Sequence, residues 1–166
     1  MGQRSDFITL LRSKEGYAEG PKDNETIFGK HTKHDFQPWC GSFGDWGRDQ
    51  IGFKAPSTVS TTAAVAAFKK DGKFQDLAHA VPELGDYVYM GFDPKNPTAV
   101  QHVGYFVKDN LDGTWVLIEG NTTSDKKTGS QDNGGEVALK VRGVKSGNKR
   151  GKPVFIIGIG KPDFND

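Results

Sequence analysis

Apolar positions along the chain change their spacing near Pro82, and this divides it into two halves. Before Pro82 the apolar residues recur at helical intervals. Ser5 stands as an N-cap ahead of Phe7, Leu10 and Leu11, and Gly16 is a stop, which predicts a helix over residues 6–15. Residues 17–33 are polar and turn-rich and read as a long surface excursion. Pro38 is suited to a first helical turn. Trp39, Phe43, Trp46 and Ile51 then form an apolar stripe that ends at Gly52, predicting a second helix. A third is expected over residues 61–70, capped by Ser60 and ended by Asp71-Gly72.

After Pro82 the period falls to two. Strands are expected over residues 86–92, 102–108, 114–119, 136–141 and 154–160. The DNLDG segment (109–113) reads as a hairpin turn. Residues 122–135 form a glycine-rich polar loop of the kind that borders sites. Helices first and an antiparallel sheet of five to six strands afterwards make an α+β architecture in one domain spanning residues 1–166. The 22 glycines and 8 prolines agree with a fold rich in turns, and 166 residues suffice for one core.

The charge balance, 22 basic against 21 acidic residues, argues against a nucleic-acid binder with a dense basic footprint. The basic stretch KSGNKRGK (145–152) reads as a solvated loop. No segment has the length of a membrane span, and the N-terminus lacks a signal-peptide pattern. The expectation is a monomer made in the cytoplasm, without membrane insertion.

The one cysteine, Cys40, excludes an intrachain disulfide. Its position at the start of the second helix gives it chemical meaning. Unpaired N–H groups and the positive end of the helix dipole favour a thiolate there. His102 opens one strand, and Glu119 and Asn121 close the next. Strands joined by a tight hairpin are antiparallel, so the start of the first lies beside the end of the second. The i, i+2 spacing of Glu119 and Asn121 is expected to put both on one face. These residues supply a nucleophile, a general base and groups to orient the base. Gln37, three residues before Cys40, is a candidate to join the Cys40 N–H in holding an oxyanion, with helix-entry backbone bonding as the alternative. Trp39 is a candidate substrate contact, although it and Trp46 fit the core better. The His31/His34 pair lacks further ligands at a recognisable spacing for zinc. Asp23, Glu25 and Asp35 are conceivable calcium ligands but lack a dense oxygen-ligand spacing. No metal or other cofactor is therefore expected.

Five segments in order resemble CHAP domains, the cysteine- and histidine-dependent amidohydrolases/peptidases: YAEGP (17–21), QPWCGSFGDW (37–46), LGDYVYM (84–90), QHVGYFV (101–107) and IEGNT (118–122). The closing IIGIGKPDF (156–164) is similar to the last strand of such a domain. The resemblance implies a papain-like (NlpC/P60-like) fold. It also implies hydrolysis of an amide bond in bacterial peptidoglycan, as in phage endolysins acting at the cell wall after release from the host cytoplasm. It carries the nucleophile onto Cys40, the base onto His102 and the orienting groups onto Glu119 and Asn121. Gly41 departs from the alanine these domains often have. Endolysins commonly add a wall-binding domain; none fits after Pro162, so a minimal lysin or an excised catalytic domain is expected. The alternatives are another cysteine enzyme on the same fold, such as a transpeptidase or toxin amidase, and a non-catalytic wall-binding or phage-tail module.

Overall fold

A computed structural model describes residues 2–145 and 153–166. The basic stretch at 145–152 lies outside them except for Lys145. Among the described residues there are four α-helices, α1 (Gln3–Arg12), α2 (Ile27–Thr32), α3 (Cys40–Ile51) and α4 (Thr61–Lys70), and a short 3-10 turn at Leu77–His79. Six strands follow or flank these: β1 (Phe74–Asp76), β2 (Tyr87–Gly91), β3 (His102–Asp109), β4 (Thr114–Thr122), β5 (Glu136–Gly143) and β6 (Phe155–Gly160). They form one antiparallel sheet in the order β1-β6-β2-β3-β4-β5. The α+β expectation therefore stands. No described helix is long and apolar enough to cross a membrane.

Helix α1 starts earlier than expected. Gly2, in extended conformation, is its N-cap, and the Gly2 carbonyl accepts the Asp6 N–H, so Ser5 falls inside the first turn. The helix buries Phe7, Ile8 and Leu11. Gly16, at φ +85°, then turns the chain and donates its N–H to the Val137 carbonyl on β5. Helix α2 lies inside the region expected to be an excursion. Its six residues are too few to establish a period. What fixes it is the Thr26 hydroxyl capping the Gly29 N–H at 2.8 Å and Phe28, which buries itself against Tyr17, Trp39, Phe43 and Trp46.

Helix α3 begins at Cys40, two residues beyond Pro38, with Trp39 as N-cap, and Gly52 ends it in a left-handed conformation. Glycines 41, 44 and 47 recur at three-residue spacing on it. Each glycine costs a helix interior ~1 kcal/mol relative to alanine. Close approach explains the choice. A Cβ on Gly41 would overlap the Thr58 carbonyl, one on Gly44 the Tyr105 hydroxyl, and one on Gly47 would lie 2.7 Å from a Leu11 methyl. The helix is thus pressed against residue 58, strand β3 and α1 together.

Alternation along the strands gives the sheet two apolar clusters. Tyr87, Tyr89, Val103, Tyr105 and Ile118 pack with Phe7, Leu11, Trp39, Phe43 and Phe68 from the helices. Val88, Met90, Phe106, Trp115, Leu117, Ile156 and Ile159 form a second cluster. Strand β1 was not expected. It has only three residues and is defined by its pairing with β6.

Candidate active site

Cys40 is the first residue of α3 and its side chain is 5 % exposed. As the first helical residue its N–H has no acceptor within the helix. Two buried polar contacts fix the segment from beneath and beside. The Tyr105 hydroxyl donates to the Cys40 carbonyl at 3.0 Å. Asp45, one turn along, accepts from the Ser57 hydroxyl (2.6 Å), the Thr58 N–H (3.0 Å) and Arg48 Nη1 (3.1 Å), holding residues 57–58 against Gly41. Burial raises the Asp45 pKa, only partly offset by Ser57, Arg48 and Thr58.

His102 opens β3 and is fully buried. Its Nε2 shares a 2.9 Å hydrogen bond with Glu119 Oε2 on β4, so the hairpin brings the two together as the antiparallel register requires. Gly104 makes the approach possible: a Cβ there would sit 2.8 Å from Glu119 Cγ and 3.1 Å from a Leu117 methyl.

Glu119 has a second buried partner that the sequence reading missed. Arg142 on β5 grips it with two bonds, Nε to Oε1 at 2.9 Å and Nη2 to Oε2 at 2.6 Å. Neither residue is exposed. Arg142 Nη1 reaches Gln131 Oε1 at 2.9 Å, and the guanidinium lies 5.5 Å from the centre of the Phe92 ring. Burial pushes the Glu119 pKa up, but the charge of Arg142, then that of His102, and their hydrogen bonds bring it well below the ordinary carboxylate value. Glu119 is therefore an anion held on both sides.

The same chain of charges acts on His102. Burial disfavours the imidazolium, yet the Glu119 carboxylate, followed by Cys40, raises its pKa above the ordinary 6.5. The other ring nitrogen, Nδ1, is buried and completes no hydrogen bond. Cys40 acts on the ring through its charge.

Asn121 does not orient the imidazole. The β4–β5 register shifts between Glu119 and Thr122, and Asn121 takes a left-handed φ of +53°, which breaks the alternation that would have placed it beside Glu119. Its amide nitrogen donates to Asn133 Oδ1 (3.1 Å) and Asn24 Oδ1 (3.3 Å), and its Oδ1 accepts the Gly135 N–H (3.1 Å). Asn121 ties the 131–135 loop to residue 24, and Asn24 in turn accepts the Phe36 N–H through its carbonyl. Trp39 is also corrected. It is fully buried, stacked on Phe28, with Nε1 donating to Glu19, and is therefore a core residue. Gln37 is exposed on the segment leading into α3.

The candidate metal ligands have separate partners. His31 bonds Asp49 at 2.9 Å and His34 bonds the Thr32 carbonyl at 2.7 Å. Asp23 accepts from Asn24, Glu25 pairs with Lys30, and Asp35 accepts the Thr26 N–H. No cluster of three or more potential ligand side chains occurs among the described residues. A cleft of about 270 Å³ lined by His31, His34, Arg48 and Asp49 flanks α3, but neither Cys40 nor His102 lines it.

In the strand VALKVRG, Lys140 and Arg142 lie two apart and both are buried, an unusual pair of cations on one face of a strand. No family model, curated protein or solved structure matches the chain.

Proposed function

We propose that the chain is a cysteine-dependent hydrolase of peptidoglycan amide bonds, with Cys40 as nucleophile and His102 as general base, on a papain-like fold. What supports this reading is the buried relay Arg142–Glu119–His102, together with a cysteine that opens a helix and is among the groups acting on the His102 charge. Burying a carboxylate is costly even when an arginine grips both its oxygens, and here Oε2, held by Arg142 Nη2, also bonds the imidazole. The peptidoglycan substrate rests on the resemblance of the five ordered motifs to CHAP domains.

In the proposed reaction His102 takes the proton of the Cys40 thiol, and the Glu119 carboxylate, which raises the His102 pKa, stabilises the imidazolium that forms. The sulfur attacks the scissile carbonyl carbon. The oxygen that becomes negative is met by the Cys40 N–H, with Gln37 as the second candidate donor. His102 Nδ1 then protonates the departing amine. Water, deprotonated by the same nitrogen, releases the acyl group from sulfur. Throughout, Glu119 holds Nε2 and so determines which nitrogen faces the thiol.

Incubating purified cell walls with the protein and its Cys40→Ala variant tests the reading. The wild type should release soluble fragments and the variant none above background. Mass spectrometry of the fragments identifies the bond: a free lactyl group marks an amidase, and a new amine within the stem or bridge marks an endopeptidase. Undiminished release by Cys40→Ala, or intact walls with both proteins, would end the proposal. Intact walls would favour a non-catalytic module on this fold.

A further inference from the structure

The relay fixes one half of the pair, the imidazole. The other half, the sulfur, sits on a helix that has no side-chain N-cap. Something else must determine how close that helix end comes to β3. Tyr105 is three residues after His102 on the same strand, is fully buried, and its hydroxyl donates to the carbonyl of Cys40 itself. Its ring stands edge-on to Tyr87, Phe7 and Phe43, at centroid distances of 5.0, 5.6 and 6.0 Å. Rings from β2, α1 and α3 therefore leave the phenol little freedom. Gly44 completes the fit, because any side chain there would occupy the place of the Tyr105 hydroxyl.

We infer that Tyr105 is a positioning residue for the nucleophile: its hydroxyl, seated against the notch at Gly44, ties the first turn of α3 to β3 and fixes the separation of Cys40 from His102. This inference rests on the cysteine-hydrolase reading for its effect on catalysis, but not for its effect on geometry. Burial raises the phenol pKa well above its ordinary value, so the group remains a donor across the working range of pH. The contact is a tether at one carbonyl and does not touch the reacting atoms. Its loss acts through sulfur placement, where a shift of ~1 Å can cost a hundredfold in rate.

The test uses Tyr105→Phe, which keeps the ring and removes only the hydroxyl. The titration of His102 is followed by NMR in the wild type, Tyr105→Phe and Cys40→Ala. Because Cys40 is one of the groups that raise His102, Tyr105→Phe should move the midpoint down toward that of Cys40→Ala while the protein keeps a cooperative thermal transition. Wall-fragment release should fall about tenfold or more in kcat with KM little changed. Gly44→Ala reaches the same contact from the helix side and should move the His102 midpoint the same way. An unaltered His102 midpoint in Tyr105→Phe overturns the inference. A wild type without hydrolytic activity would sink the functional reading alone, since the titration reads the tether independently.

Discussion

Arg142 changes how Glu119 should be understood. Alone, a buried carboxylate would be protonated and could not hold an imidazolium. Two bonds from the guanidinium keep it charged. Arg142→Met leaves Glu119 buried with His102 as its one charged partner. Removing one member of a buried ion pair costs ~3–5 kcal/mol, so urea denaturation should show a loss of that order. A loss under ~1 kcal/mol would mean that water or Gln131 replaces the guanidinium at no cost. At this scale the sequence was informative where geometry is local. The meeting of His102 and Glu119 followed from the hairpin register, and the place of Cys40 at a helix start from Pro38 and the apolar stripe. Arg142 did not, because it acts through a long side chain from the neighbouring strand, opposite Trp115 and away from Glu119. Asn121 misled because a period-two argument assumes extended backbone, and its positive φ ends that assumption.

Among the elements, α3 carries the most constraint. Its 41/44/47 glycines are the contact face by which a poor helix former becomes a well-placed helix. Gly41 has a physical reason: the carbonyl of Thr58, whose N–H is held by Asp45, occupies the space of a methyl group. Gly41→Ala should gain helix propensity and lose more through overpacking, a net destabilisation of ~1–3 kcal/mol. A melting temperature equal to or above the wild type's would show that residues 57–59 yield without cost. Helices α3 and α4 were legible from their stripes and terminators. Helix α2 and strand β1 were not, because six and three residues are too short to carry a period and exist through Phe28 and through pairing with β6.

For the whole molecule, the buried relay makes stability depend on pH from both sides. Glu119 has a folded pKa below its ordinary 4.5, so its contribution is present above that value and is lost as pH falls through the lowered one. His102 has a folded pKa above 6.5, so its contribution is complete below 6.5 and is lost as pH rises through the raised one. Asp45, with a raised pKa, opposes Glu119: its burial costs stability above its ordinary 3.8 and is relieved in acid. Above pH ~10 the buried tyrosines, also raised, steepen the alkaline decline. Denaturant midpoints should therefore peak between about pH 5 and 6.5. The decline above 6.5 should be shallower in Cys40→Ala, which lacks one of the groups that raise His102. A flat profile from pH 6.5 to 9 would contradict the charged pair.

The central claim is that Cys40 and His102 work as one chemical unit, and the rate of Cys40 alkylation by a small haloacetamide at neutral pH tests it most directly. The account predicts that His102→Ala slows alkylation at least tenfold, with the folded state retained in both proteins. Equal rates in the wild type and His102→Ala would contradict it.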